Sequence, residues 1–207
     1  MANIIGLTGQ TGAGKSSVRE IMRRKGAAVI DADSVAHEIT DKNTDCIYDI
    51  VNRFSVLVLN ADGTINRKAL GRRVFSDKKE LEALNKIIFP YILDAVEHEV
   101  LKNIEMGSEN IVIDGATIIE SGCGKMCDML VSVVASEKIR TRRIIRRDEI
   151  SREDAERRVA AQKPEEFYTE NSDIVIENES SIENLEYRVA SVLKNFGLLK
   201  EKISAED

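Results

Sequence analysis

Eight residues near the amino terminus, Gly9-Gln10-Thr11-Gly12-Ala13-Gly14-Lys15-Ser16, place three glycines, a lysine and a hydroxyl at the spacing G-x-x-x-x-G-K-[ST]. Glycine opens backbone angles that other residues avoid, so the main-chain N–H groups of such a segment can curl around phosphate oxygens. Lys15 adds a cation able to reach β- and γ-phosphates, and the Ser16 hydroxyl is a hard donor suited to Mg²⁺. The context supports the reading. Residues 4–7 (IIGL) form a short apolar run that predicts a buried strand, and residues 17–25, opening on Ser17, predict a helix. The glycines therefore occupy a strand-to-helix turn, where free N–H groups at the helix start also attract an anion. A glycine-rich turn followed by a chance Lys-Ser pair does not account for that placement.

A phosphate cradle with a candidate Mg²⁺ ligand specifies nucleotide binding, not a reaction. The N-K-x-D element of guanine-nucleotide switches and the LSGGQ element of transport ATPases do not occur, which favours a small kinase that moves a phosphoryl group to a small acceptor. Asp31 and Asp33 follow the second apolar run in AVIDADSVAHEI. Two apart on an extended segment, they face the same side. There one carboxylate can take the proton of an attacking hydroxyl while the other orients it or holds metal-bound water. The competing reading is that both acids cap the next helix. Asp114 ends the run NIVIDG and is a candidate to hold Mg²⁺ through water, or to cap the following turn. The segment KIRTRRIIRR (138–147) carries six cations in ten residues, with Arg140, Arg143 and Arg147 on one helical face. Arginine can grip phosphate oxygens with two N–H groups while charge develops. Such a face is more often simply solvated.

The elements that must position these groups alternate. Apolar runs at 4–7, 28–30, 110–115, 129–134 and 173–178, separated by helical patterns, predict an α/β fold with a five-stranded parallel sheet. Between the second and third runs the sequence reads as helical throughout. Residues 67–75 form one helix, residues 76–88 another opening on a Ser76 cap, and residues 91–106 a third that starts after Pro90 and stops at Gly107. A second helical excursion follows the fourth run, with Ser151 and Asp154 as a capping box. The last helix aligns Ile182, Leu185, Val189, Val192 and Phe196, with Gly197 as its terminator and a frayed end beyond. One kinase domain is expected, with a core of approximately 1–32, 108–137 and 170–197, a helical insertion of approximately 33–107 on the acceptor side, and a helical segment of approximately 138–169.

Composition excludes several classes. A chain of 207 residues with 43% hydrophobic and 32% charged residues is not disordered. Net charge of −6 with 4% aromatic residues and no Trp argues against nucleic-acid binding. No apolar stretch reaches a membrane span and no signal-peptide pattern opens the chain, so a cytoplasmic protein is expected. Cys46, Cys123 and Cys127 form no disulfide framework, and the C-x3-C pair lacks partner ligands, so these read as ordinary thiols rather than a metal site. No exposed heptad or repeat marks an interface, so oligomeric state is not set by the sequence.

The ordered series GLTGQTGAGKSSV, DADSVAHEI, DGTINRKALGRRVFSD, LNKIIFPYI, DGATIIESG, the arginine segment with SREDAERRVAAQ, and SDIVIEN resembles the dephospho-CoA kinase family over residues 4–193. The later motifs are weak singly; their order is specific. The resemblance implies ATP- and Mg²⁺-dependent phosphorylation of the 3′-hydroxyl of dephospho-CoA, with Asp33 as base, the insertion as acceptor site and residues 138–169 as a mobile lid containing Arg157, Arg158 and Gln162. It further implies acceptor contact by Arg67 of an R-x-x-L element, phosphate contact by Arg143 and Arg147, and Asn178 near the adenine. Two positions depart from the family pattern. Phe89 replaces the usual His of His-Pro, and Ala116 to Glu120 (ATIIE) replaces P-L-L-F-E. Arg140 stands where the family pattern has Gln. A nucleoside, nucleotide or shikimate-type kinase, or a nucleotide-binding regulator without transfer activity, are the competing readings.

Overall fold

The structure, a computed structural model, describes residues 2–195; the Phe196–Gly197 end of the last helix and residues 198–207 lie outside the described residues. In chain order the elements are β1 (Asn3–Gly9), α1 (Lys15–Arg24), β2 (Ala28–Asp31), α2 (Ala32–Lys42), α3 (Thr44–Phe54), α4 (Arg67–Val74), α5 (Lys78–Glu105), β3 (Asn110–Asp114), α6 (Ile118–Ser121), β4 (Met129–Val134), α7 (Glu137–Asp148), α8 (Arg152–Ala160), α9 (Glu165–Glu170), β5 (Ile174–Glu177) and α10 (Ile182–Asn195). All four strand pairings are parallel, in the order β2-β3-β1-β4-β5. This is the expected α/β architecture.

The strands read as continuous apolar runs because both faces of the sheet are covered. On one face Ile5, Leu7, Val131 and Val133 pack against Val18, Ile21 and Met22 of α1 and Leu185 and Val189 of α10. On the other, Ile111, Ile113 and Leu130 meet Ile92, Val96 and Val100 of α5. A third cluster, Cys46, Ile50, Phe54, Leu70 and Val74, closes α3 and α4 against the first half of α5.

Register places the chemistry. Leu7 and Asp31 both pair with Asp114, so β2 and β3 end level and β1 runs two residues further, to Gly9. The chain leaves β1 towards β2 and leaves β4 towards β5, so connections diverge between adjacent strands β1 and β4. A ligand crevice forms at that kind of switch point.

Two helix boundaries differ from expectation. Residues 78–105 form one helix that runs through Pro90 instead of restarting after it. Proline removes one intrahelical donor, but Ile88, Phe89, Ile92 and Leu93 around it are held in apolar clusters, and packing outweighs the lost bond. Its cap is Asp77, which accepts from Lys79 N at 2.8 Å, while the Ser76 hydroxyl turns back to the Arg73 carbonyl. Phe89 is packed beside the sheet-side cluster.

Candidate active site

The cradle joins β1 to α1, and its backbone geometry requires glycine at both ends. Gly9 has φ 151° and a Cβ there would lie 2.4 Å from the Val133 carbonyl oxygen of β4. Gly14, at φ 101°, is the N-cap of α1 and makes no side-chain capping bond. A Cβ on it would lie 2.2 Å from Asn178 Nδ2. The first N–H groups of α1 therefore have no side-chain acceptor in front of them, the arrangement that favours an anion. A cleft of about 640 Å³ opens beside them, lined by Gly9 to Gly12, Gly14 to Ser17, Asp33, Arg143 and Arg147, with Gln162 among others. A larger groove of about 960 Å³ lies between α7 and α8, but no residue of the cradle reaches it.

The acids divide their work. The strand β2 stops at Asp31, which caps α2 by accepting from Ser34 N at 2.9 Å. Asp31 is thus the N-cap and Asp33 the second residue of a helix, and the expectation that both face one way from an extended segment is overturned. The capping reading holds for Asp31. Its other oxygen takes Arg19 Nη1 at 3.3 Å. Asp33 instead enters the cleft, with its side chain half exposed and 3.8 Å from Lys15 Nζ. It accepts from Ala116 N at 3.1 and 3.3 Å. Proline has no N–H, so Ala116 supplies Asp33 with a bond that a proline at this position could not. Asp114 is 2% exposed. One oxygen holds Lys15 Nζ at 2.6 Å and the other Arg19 Nη1 at 2.9 Å.

Arg140, Arg143 and Arg147 of α7 share a face but not a task. Arg140 is 3% exposed and lies beneath the cradle, donating from Nε to the Thr11 carbonyl at 3.1 Å and from Nη2 to Val159 O at 3.5 Å. Burial pulls its pKa down. Arg143 Nη1 donates to Ala13 O at 3.0 Å and to Gly12 O at 3.4 Å; burial, then the neighbouring Arg142, lower its pKa. Arg147 lines the cleft with its guanidinium paired to Asp148.

Asn178 is buried and donates from Nδ2 to Ala13 O at 2.7 Å, so its amide braces the cradle from behind and the residue is absent from the cleft lining. Gln162 accepts from Thr11 N at 2.5 Å through Oε1, linking the segment after α8 to the cradle. Arg157 pairs with Glu153 and Asp154, and Arg158 with Asp148. Of the expected Ser151 box the cap half forms, with Ser151 Oγ accepting from Asp154 N at 3.1 Å, while the Asp154 carboxylate takes the Ser151 hydroxyl at 2.6 Å in place of the Ser151 backbone N–H. Arg67 stands away from the cleft lining, gripping α2 through Asp41 at 2.9 Å, Thr40 Oγ1 at 3.1 Å, the His37 carbonyl at 3.2 Å and the His37 ring nitrogen Nδ1. Cys127 Sγ donates to the Cys123 carbonyl, and burial pushes its thiol up to about 12.

Sequence reasoning missed Arg19, although it lies four residues after Lys15 and therefore one turn further on the same face of α1. It also missed Glu120, Lys163 and Tyr168 as cleft residues. Glu120 was within reach as the acid of ATIIE; Tyr168 carried no signal, because only the fold of residues 161–170 brings α9 to the cleft.

Residues 3–184 match the dephospho-CoA kinase family model. A dephospho-CoA kinase from Geobacter sulfurreducens is 38% identical over 190 residues, 92% of this chain and 96% of that protein. Two solved structures superpose over most of both chains. One, from Thermus thermophilus, has a TM-score of 0.77 at 30% identity and covers 94% of this chain and 97% of its own. The other, a dephospho-CoA kinase from Campylobacter jejuni, has a TM-score of 0.68 at 25% identity and covers 95% and 98%. With likeness extending through sheet, cradle and helices alike, the chain belongs to the dephospho-CoA kinase family and has the P-loop kinase fold.

Proposed function

We propose that this chain transfers the γ-phosphoryl group of ATP to the 3′-hydroxyl of the dephospho-CoA ribose, giving coenzyme A and ADP in the last step of coenzyme A biosynthesis, as a cytoplasmic enzyme. The observation that carries the reading is the placement of Lys15 between a buried acid and a half-exposed one. Its Nζ lies 2.6 Å from Asp114 and 3.8 Å from Asp33 on the cradle's own cleft.

In this reading the amides of residues 9–17 hold the phosphate tail and Lys15 turns from Asp114 to the β- and γ-phosphates. Asp33 accepts the proton of the 3′-hydroxyl, oriented by the Ala116 N–H. Arg143 and Arg147 meet the charge that develops on the transferred group, where a contact made only in the transition state raises turnover. Asn178 and Arg140 keep the cradle in shape. The donors beside the cradle are hard oxygens, the exposed Ser16 hydroxyl and the Asp114 carboxylate. Among the described residues no group of three or more His, Cys, Asp or Glu could hold a metal. That set fits Mg²⁺, which keeps waters and binds through one or two protein oxygens plus substrate phosphates. Ser16 would hold it directly and Asp114 through water, and the ion would neutralise phosphate charge.

Residues 33–107 are proposed as the acceptor-binding insertion and 138–169 as the lid, over a core of approximately 1–32, 108–137 and 170–197. Arg67 is assigned to the acceptor because its partners run along α2 away from Asp33. Asp41 lies eight residues on, about 12 Å at 1.5 Å per residue, a span that suits an extended substrate. Closure of the lid over ATP would exclude water and limit wasteful hydrolysis.

A panel of acceptors with ATP and Mg²⁺ tests the assignment. Dephospho-CoA should be turned over and nucleosides, nucleoside monophosphates and shikimate should not. Turnover of a nucleoside monophosphate alone would replace the reading, and nucleotide binding without turnover of any acceptor would make the chain a regulator. The joint presence of Lys15, Ser16, Asp33, Arg143 and Arg147 weighs against the last outcome.

A further inference from the structure

Asp148 is the last residue of α7, followed by Glu149 in the left-handed region at φ 53°. A carboxylate at a helix C-terminus meets the negative end of the dipole and is unfavourable there unless something else holds it. Two arginines do. Arg147 donates from Nε to Oδ1 at 2.6 Å and from Nη2 to Oδ2 at 2.9 Å, and Arg158 of α8 donates from Nη1 to Oδ2 at 2.6 Å. Both pull the Asp148 carboxyl below the usual range, the hydrogen bond from Arg147 most strongly. The acid is the enclosed member of the trio, with its side chain 20% exposed against 59% for Arg147 and 53% for Arg158.

The geometry of the grip matters. A guanidinium carries five N–H groups in a flat fork. Asp148 occupies the Nε/Nη2 side, which leaves the Nη1 end without a hydrogen-bond partner among the described residues, and Arg147 lines the cleft that holds the cradle. Arg158 is absent from that lining and reaches the carboxylate from α8.

We propose that Asp148 is a positioning residue for phosphoryl transfer. It fixes the side edge of Arg147 so that the free edge faces the transferred phosphate, and through Arg158 it makes that alignment depend on how α8 is seated. The proposal rests on the assignment of Arg147 to the phosphate site. An exposed ion pair contributes little to stability, so a positioning role and a merely structural one separate in their readouts.

A double-mutant cycle reads the difference, with wild type, Asp148→Asn, Arg147→Ala and the double variant assayed on saturating dephospho-CoA over a range of ATP concentrations. Asp148→Asn should lower kcat about tenfold, leave the KM for ATP within about twofold, and leave the thermal midpoint within a degree or two (about) of wild type. In the Arg147→Ala background the same change should cost less than about twofold. Asp148→Glu should recover part of the loss, and Arg158→Ala should lower kcat about threefold if the seating of α8 is coupled. Equal loss in both backgrounds, full kcat in Asp148→Asn, or a loss of activity that merely follows a loss of folding would overturn the role of Asp148 while leaving Arg147 in the site. Full kcat in Arg147→Ala would remove Arg147 itself and the proposal with it. No effect of Arg158→Ala would overturn the link to α8.

Discussion

Replacing Asp33 by Asn separates proton transfer from structure, because the two roles of this side chain use different properties of it. The Ala116 N–H needs only an acceptor, and the amide oxygen of Asn provides one at the position now 3.1 Å away. The attraction to Lys15 is lost, but at 3.8 Å and with the Asp33 side chain 50% exposed it is screened, and Lys15 keeps Asp114 at 2.6 Å. Such a contact contributes about 1 kcal/mol or less. Loss of a general base, by contrast, costs about 10²–10⁴-fold in rate, or about 3–5 kcal/mol in barrier height. Asp33→Asn should therefore fold as wild type, bind ATP as wild type, and release ADP with dephospho-CoA at least about 100-fold more slowly. Coupled ADP assays, nucleotide titration and thermal unfolding on the same preparation check the three parts. A kcat within about threefold of wild type would refute the base assignment, and a fall in stability matching the fall in rate would show that Asp33 serves the fold.

Four further outcomes are expected. Ala116→Pro removes the N–H that orients Asp33 and should lower kcat by roughly three- to tenfold, with little change in nucleotide affinity; unchanged kcat would show that Lys15 alone suffices. Arg140→Met keeps the buried stem but leaves the Thr11 and Val159 carbonyls without this donor, and should cost about 1–3 kcal/mol in urea unfolding. A gain in stability would mean that desolvation of the guanidinium outweighs those bonds. Asp154 is held below the ordinary carboxyl range, first by the Ser151 hydroxyl and then by Arg157. Its contribution to folding is therefore complete above the ordinary carboxyl pKa and lost as pH falls through its depressed value. In Ser151→Ala an NMR titration should find it moved upwards, and helix α8 weakened by about 1 kcal/mol for the lost cap. Burial pushes Cys46 to about 11 and Cys127 to about 12, so both should resist alkylation at neutral pH until the chain unfolds.

Much of this molecule is legible in one dimension. The strand runs, the cradle and the Ser151 cap depend on near neighbours in the chain, and residues 4–16 alone specify a strand, a glycine turn and a helix start. Boundaries at Asp31 and Pro90 were not legible. At the first, capping competes with an extended path, and at the second packing against two clusters decides whether the helix continues.

What the sequence determined by itself was therefore the inventory: the phosphate cradle, the acids at the strand ends, the arginine face and the alternation that requires a parallel sheet. Only the tertiary structure decided how those groups are shared out. It turned Asp31 to Arg19 and Asp33 to the cleft, set Arg140 and Asn178 behind the cradle, and joined Arg147 to Arg158 through Asp148. The reason is physical. Periodicity and turn chemistry act over a few residues, whereas the partner of a charged side chain is whichever group the packing of distant elements brings within reach.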